Sequence, residues 1–267
     1  MNRGARSWLV VSLVVPLAAT LASVVARADR LGYAWRARSA GGNDLATRIA
    51  PPAGATRVSV AAGSFGDWLR HLPLLPRDSP VLLYDGSRKP RQDVHEAVID
   101  IDVGRRDLQQ CADAVMRMRA EYLFAAGRFD EIRFHPEPGK PNTIEWTGGA
   151  RRDGWDRFLV RLFAAAGSAS LDAELPHARG APLPGDVLIQ GGYPGHAVLV
   201  LDVAEDPSGH RYLLLAQSYM PAQQIHVVKN LGDARLSPWY DAAALNGAGV
   251  ATPEWRPFKA KDWRRFP

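Results

Sequence analysis

Three side chains have the types and the placement of a nucleophile, a base and an orienting group. Cys111 is the only cysteine of the chain and lies near the start of DLQQCADAVMRMRAEYL. His196 begins the apolar run HAVLVLDV, and Gln217 lies in the apolar run after it. A thiol beside an imidazole whose tautomer is fixed by a polar group can attack a carbonyl carbon. The sequence therefore predicts a Cys111–His196–Gln217 triad, provided that the fold brings the three together.

The helix that carries Cys111 is predicted to begin at Asp107 and to run to Ala126, where Gly127 ends it. This places the thiol in the first turn, where unpaired amides and the helix dipole favour a thiolate and lower the thiol pKa. A second interpretation stays open, because the cysteine also belongs to an apolar stripe, on which a free cysteine is usually an inert core residue. The stripe consists of Cys111, Val115, Met118 and Tyr122.

His196 and Gln217 are predicted to lie on adjacent antiparallel strands. Four apolar runs late in the chain have the pattern of strands, at residues 186–190, 196–203, 211–219 and 224–230. If the turn DPSG pairs residue 206 with residue 209, His196 faces Tyr219, and Gln217 lies diagonally across from His196 on the same face. A turn longer by one residue would move Gln217 to the other face.

The rest of the chain predicts an α+β fold in which helices precede the late sheet. Short helices are expected at 64–76, with Ser64 as cap, and at 151–168, and strands at 79–86 and 96–104. Residues 29–63 are rich in Gly, Ala, Arg and Pro and are predicted to be an N-terminal arm or linker. Residues 64–267 are then one α+β domain.

The first 28 residues have the pattern of a secretory signal peptide, with cleavage predicted after Ala28. An uncleaved membrane anchor is the alternative, because the apolar run is nearly long enough to span a bilayer. Removing this segment takes away three arginines and no acid, so the net charge falls from +5 to +2. The protein is expected to be periplasmic or secreted, with membrane contact only through an uncleaved signal.

Several partner classes are not expected. The chain has no Lys/Arg stripe with interleaved aromatics, which argues against nucleic acid. One cysteine and seven scattered histidines give no metal-ligand spacing, so neither a metal nor another cofactor is predicted.

Two stretches resemble a known family. PGDV…GHAVLVLD (184–202) resembles the PGD…GHVGIYLG signature of NlpC-type and CHAP-type hydrolases, the papain-like enzymes of bacterial cell walls. The resemblance implies a papain-like core, in which a helix bearing Cys111 packs on a late antiparallel sheet, with Cys111 as nucleophile, His196 as base and Gln217 as orienting residue. The sequence departs from the family at Gln110-Cys111-Ala112, where Asp-Cys-Ser is common, and in the long interval of 85 residues between cysteine and histidine.

A second resemblance covers most of the mature chain. QQCADAVMRMRAEYL and LLLAQSYMPAQ resemble a family of exported bacterial proteins of unknown function. This resemblance implies no activity.

The function expected from these patterns is an exported cysteine amidase or peptidase that acts on peptidoglycan peptides. The residues predicted to bind the substrate are Gln110, Tyr193, Tyr219 and Trp146. The amides around Gln110 and Cys111 would stabilise the oxyanion. Two alternatives stay open. One is an acyltransferase that uses the same triad. The other is a non-catalytic glycan- or peptide-binding module, with a groove lined by Trp146, Tyr193 and Tyr219. A dimer linked through Cys111 is least favoured, because a thiol on an apolar stripe is hard to reach.

Overall fold

The computed structural model describes Met1 and residues 31–35, 43–140 and 142–267. Apart from Met1, the predicted signal segment 1–28 lies outside these residues. Residues 31–267 belong to one compact unit. Within the described ranges, no helix has the length and apolar character needed to cross a bilayer.

The regular elements are numbered in chain order. The helices are α1 (Leu45–Arg48), α2 (Phe65–Arg70), α3 (Cys111–Ala125), α4 (Trp155–Ala165) and α5 (Ser168–Glu174). The first five strands are β1 (Thr56–Arg57), β2 (His95–Val98), β3 (Arg133–Phe134), β4 (Ile144–Glu145) and β5 (Asp186–Gln190). The last five strands are β6 (His196–Glu205), β7 (Arg211–Gln217), β8 (His226–Val228), β9 (Trp239–Asp241) and β10 (Trp263–Arg265). Short 3₁₀ helices cover Phe129–Glu131, Ala242–Asn246 and Ala260–Asp262.

An eight-stranded antiparallel sheet organises the fold. Its path is β10-β5-β6-β7-β8-β2, with β1 added beside β6 and β9 beside β7. Strands β6 and β7 form the centre, and β3 pairs with β4 in a separate two-stranded sheet. The central strands are almost continuously apolar and buried, as expected of strands that are covered on both faces.

The register of the β6–β7 hairpin is set by a longer loop and by a β-bulge, and the turn motif DPSG predicts neither. Glu205 pairs with Arg211, so the connecting loop is one residue longer than a turn closed by residues 206 and 209. A β-bulge between Val200 and Asp202 then shifts the register back. Beyond the bulge, Leu199 pairs with Ala216, which is the register expected for the end of the hairpin that carries His196 and Gln217.

Each face of the sheet is covered by a different part of the chain. One face packs against the helices, and its core includes Cys111, Ala197 and Leu199. The other face carries Val198 and Val200 and packs against the C-terminal part of the chain, including Phe258. Residues along one strand alternate between these two cores, as the period of a strand requires.

The predicted fold class, a papain-like α+β core with a late antiparallel sheet, is wrong. The antiparallel sheet is the dominant element, and it takes strands from residue 56 to residue 265 rather than from the late segment alone. The helices are few, and of those described only α3 and α4 exceed seven residues. The added strands, such as β1 and β10, have two to four residues, too few to show the alternation by which a strand is recognised.

Candidate active site

Cys111 is the first residue of α3. Gln110 is the N-cap, whereas the sequence predicted a start at Asp107. The backbone N–H of Gln110 was expected to stabilise the oxyanion. It instead donates to Asp113 Oδ2 at 3.0 Å and is not free for that role. Asp107 does not cap the helix. Its side chain accepts a hydrogen bond of 2.6 Å from the backbone N–H of Ala222, in the loop between β7 and β8. The later start places the cysteine among the unpaired amides of the first turn.

The Cys111 sulfur lies against the backbone on both sides of His196. Sγ is 3.9 Å from the carbonyl oxygen of Gly195 and accepts a hydrogen bond from the N–H of Ala197. The thiol is nevertheless 7% exposed, and burial raises its pKa to about 11, aided by the negative charge of Asp113. The prediction that the helix N-terminus lowers the thiol pKa is therefore wrong. The nearby amides oppose burial but do not overcome it.

His196 and Gln217 make the side-chain contact that the register predicts. His196 Nε2 lies 3.0 Å from Gln217 Oε1, and both residues are buried. The Gln217 amide donates through Nε2 to Glu254 Oε2 at 2.8 Å. Glu254 Oε1 in turn accepts from the buried Lys89 ammonium at 2.6 Å. Four polar side chains are therefore connected in series, in the order His196, Gln217, Glu254 and Lys89.

The hydrogen bonds from His196 through Gln217 to Glu254 determine the tautomer of the His196 ring. A carboxylate only accepts hydrogen bonds, so Glu254 fixes the Gln217 amide with Oε1 toward the ring. His196 must then carry its proton on Nε2, which leaves the Nδ1 lone pair as the basic site. Burial lowers the pKa of His196 to about 4, Gln217 opposes this shift, and the Lys89 charge adds to it. The ring is neutral at pH 7.

The Cys111 thiol contacts the backbone on both sides of His196, whereas the His196 ring packs on the other face of the sheet. The His196 ring packs against Trp255 at 5.1 Å and Phe258 at 6.1 Å between ring centroids, on the face opposite α3. Among the described contacts, no hydrogen bond joins the Cys111 thiol to this ring. Cys111 therefore belongs to the core on the helix side of the sheet, and the His196 ring packs against the core on the other side.

A cavity of about 290 Å³ opens beside Cys111. Its wall includes Gln110 and the 192–195 loop, so two of the predicted substrate-binding residues, Gln110 and Tyr193, lie at the cavity. Tyr193 is 82% exposed, and the half-exposed Met220 lines the same cavity. Two exposed apolar side chains therefore border a cavity whose lining includes Cys111.

The other two predicted substrate-binding aromatics lie elsewhere. Tyr219 packs on the His196 ring at 5.1 Å, and its hydroxyl donates to the backbone oxygen of Glu254 at 3.1 Å, so it supports the imidazole. Trp146 is buried against Trp155 and Phe158, and its indole donates to the backbone oxygen of Gly149. Trp146 therefore belongs to the core and not to the site.

Several residues of the site were not predicted from the sequence. Glu254 and Lys89 come from distant loops, and no local pattern connects them with Gln217. Ser218 is different, because it adjoins Gln217: its buried hydroxyl contacts the backbone oxygens of Gln109 at 2.9 Å and Gln223 at 2.8 Å. It ties the end of β7 to the chain just before α3. In the described part of the chain, no three His, Cys, Asp or Glu side chains are grouped to hold a metal ion.

Comparisons with known proteins give a family without an activity. The family model described as Domain of unknown function (4846) matches residues 45–154 and 141–265. This is more than half of the chain, so the chain belongs to that family. The predicted membership in a family of unknown function is confirmed to this extent. No curated protein and no solved structure matches the chain significantly.

Proposed function

We propose that this member of the family Domain of unknown function (4846) is a cysteine hydrolase that cleaves amide bonds. Cys111 is the nucleophile, His196 the general base and Gln217 the residue that orients the base. The observation that carries the proposal is the 3.0 Å contact between His196 Nε2 and Gln217 Oε1, which leaves Nδ1 as the base. The thiol contacts the backbone carbonyl of Gly195, the residue before this histidine.

The mechanism begins from a neutral pair. Because burial raises the thiol pKa to about 11 and lowers the imidazole pKa to about 4, no thiolate–imidazolium pair exists before substrate binds. Proton transfer from Sγ to Nδ1 therefore accompanies attack on the carbonyl carbon. Catalytic hydrogen bonds are often long in the free enzyme and tighten in the substrate complex, which is the change required here.

The remaining steps follow from the same groups. The backbone amides of Cys111 and Ala112 at the start of α3 contact the sulfur and stabilise the oxyanion. The imidazolium formed by the transfer donates through Nε2 to Gln217 and returns the Nδ1 proton to the leaving amine. Water, deprotonated by the same Nδ1, then attacks the thioester and releases the acid and the free thiol.

Local sequence supports the chemistry and suggests a compartment. The resemblance of PGDV…GHAVLVLD to NlpC-type and CHAP-type hydrolases is confined to a short stretch, and it supports the chemistry but not a papain-like fold. The signal-like segment 1–28 supports export. Peptidoglycan peptides in the periplasm are therefore the substrates that we propose to test first.

A second candidate function is a binding module without catalysis. The raised thiol pKa and the lack of a described hydrogen bond between Cys111 and His196 favour it. In this case the cavity beside Cys111 binds a peptide, and the His196–Gln217–Glu254 chain stabilises the fold.

The experiment is cleavage of purified muropeptides, followed by mass spectrometry. The expected result is product release by the wild type and none by Cys111→Ala or His196→Ala, with a thioester on Cys111 during turnover of a peptide ester. His135→Ala, at an exposed histidine away from the site, is the matched control and keeps full activity. Product release that survives in Cys111→Ala contradicts the proposed nucleophile. Binding of muropeptides without cleavage by the wild type supports the binding module.

A further inference from the structure

The cavity beside Cys111 has two buried carboxylates in its wall that the proposed triad does not use. Asp113 lies in the first turn of α3, and Glu137 lies in the loop after β3. Asp113 is 6% exposed and Glu137 is 8% exposed. Carboxylates are almost never buried to this degree unless a partner compensates the charge.

Each carboxylate has one oxygen bound and one left over. Asp113 Oδ2 accepts from the N–H of Gln110 at 3.0 Å, and Glu137 Oε1 accepts from the N–H of Ser170 at 3.3 Å. Asp113 Oδ1 and Glu137 Oε2 are buried without a hydrogen bond of normal geometry among the described residues. A buried acceptor without a donor costs about 1–3 kcal/mol, and more when it is charged.

The neighbouring groups do not neutralise the pair. The exposed Lys140 also lines the cavity, but its ammonium donates to the backbone oxygen of Ala164 at 2.9 Å. The exposed Tyr193 phenol hydrogen-bonds to Glu137, which raises the pKa of Tyr193, but a neutral phenol does not compensate the charge of the carboxylate. Burial, and then the charge of Glu137, raise the pKa of Asp113 well above its usual range. The Asp113 shift opposes negative charge in this wall, and a cation in the cavity relieves it.

The shape of the cavity restricts the cation. Phe163 and Met220 supply apolar surface in the wall that also holds the two acids. An amine on an aliphatic stem can contact this apolar surface with its stem and donate to the carboxylates with its three N–H groups.

We infer that the cavity is a subsite for a primary ammonium group of the substrate, bound by Asp113 and Glu137. The ligand class is a peptide with a lysine-like or diamino acid side chain. The inference rests on the proposed function only in identifying this ligand as the substrate whose acyl group reaches Cys111. Occupation has a second effect, because the Asp113 charge is one of the causes of the raised thiol pKa, and a bound ammonium offsets it.

The test measures binding in the full chain carrying Cys111→Ala, which cannot turn over. Isothermal titration compares an acetylated tripeptide amide that has a central lysine with the same peptide acetylated on Nε. The lysine peptide is expected to bind at least about tenfold more tightly, the ratio that corresponds to one charge-assisted hydrogen bond. Equal binding of the two peptides overturns the inference.

Variants assign the effect to the two acids. Asp113→Asn and Glu137→Gln, each added to Cys111→Ala, are expected to reduce the ratio between the two peptides to about onefold to threefold. Glu145→Gln removes an exposed acid outside the cavity and is expected to keep the full ratio. Thermal melting confirms that each variant is folded, and if Asp113→Asn does not fold, Glu137→Gln alone decides. An unchanged ratio in folded Glu137→Gln and Asp113→Asn overturns the assignment.

The two proposals fail separately. Selective binding of the lysine peptide, together with no cleavage by the wild type, rejects the hydrolase and keeps the ammonium subsite. Cleavage that is indifferent to the lysine charge keeps the hydrolase and rejects the subsite. Displacement of the lysine peptide by millimolar Mg²⁺ or Ca²⁺, with no effect of the Nε acetyl group, overturns the subsite in favour of a metal ion.

Discussion

The amide of Gln217 lies between His196, which it contacts through Oε1 at 3.0 Å, and Glu254, to which it donates through Nε2 at 2.8 Å. The carboxylate has no proton to donate, so the amide cannot turn over without placing two acceptors against each other. Glu254 therefore determines, through Gln217, which nitrogen of the His196 imidazole carries the proton.

Removing the negative charge of Glu254 is expected to allow the His196 ring proton to move from Nε2 to Nδ1. In Glu254→Gln the new amide can donate or accept, so Gln217 can present its NH₂ to His196 and move the ring proton to Nδ1. Because the base is then blocked, we expect kcat/KM to fall by about tenfold or more. The ¹⁵N NMR shifts of His196 report the tautomer directly. An unchanged Nε2–H tautomer in Glu254→Gln contradicts this role of Glu254.

The Cys111 thiol is expected to react slowly with alkylating agents. With its pKa raised to about 11 by burial, it carries on the order of a hundredfold less thiolate at pH 8 than a free thiol with an ordinary pKa. Iodoacetamide labelling, measured by mass spectrometry on this single cysteine, should accelerate up to about pH 11. A lysine peptide in the cavity should increase the rate. Labelling faster than a free thiol at pH 6 contradicts a neutral ground state.

Acid is expected to destabilise the fold through two buried histidines. Burial lowers the folded pKa of His196 to about 4 and that of His226 to about 3. The unfolded chain binds protons near pH 6.5, so below this pH it holds more protons than the folded chain, and the free energy of unfolding decreases as the pH is lowered. Between pH 7 and 4.5 each histidine should remove on the order of 2 kcal/mol of unfolding free energy.

Urea unfolding at a series of pH values measures this slope. His226→Gln should flatten it by about half, whereas the exposed His135→Gln should leave it unchanged. An identical slope in wild type and His226→Gln assigns the acid sensitivity to other groups.

Gly195 is expected to tolerate no side chain. A Cβ at this position lies 2.0 Å from Ser168 Oγ and 2.6 Å from the backbone oxygen of Gly192, so Gly195→Ala forces the 192–195 loop away from α5. We expect a loss of roughly 1–3 kcal/mol of stability, as for overpacking, and a larger relative loss of activity because the loop borders Cys111. Thermal melting and cleavage assays measure both.

Gly247→Ala is the matched control, because the nearest atom to its Cβ is 3.9 Å away. Equal melting temperatures for the two variants mean that the contact with Ser168 is not restrictive.

The local geometry of the site could be predicted where short-range patterns fix it. Continuous apolar runs identified β6 and β7, and period-two alternation gave His196 and Gln217 a common face. That success involved two errors that cancelled. The loop after Glu205 is one residue longer than the DPSG turn implies, and the bulge before Asp202 restores the parity. No residue in the sequence marks that bulge.

What depends on distant contacts could not be predicted. The start of α3 moved from Asp107 to Gln110 because Asp107 binds the N–H of Ala222, and a Gln is a weak N-cap signal. The thiol pKa depends on burial by the whole fold, which outweighs the helix terminus. Glu254 contacts Gln217 although the two are 37 residues apart in the sequence. Trp146 lies in the core through aromatic contacts that helical spacing does not reveal.

The C-terminal cover has a consequence for biogenesis. Glu254, Trp255 and Phe258 hold the imidazole, and β10 then pairs the end of the chain with β5. A nascent chain that stops before residue 254 contains the cysteine, the histidine and the glutamine but lacks the groups that fix the ring. The orientation of the imidazole therefore depends on synthesis of nearly the full length, and a C-terminal truncation removes that orientation before it removes Cys111, His196 or Gln217.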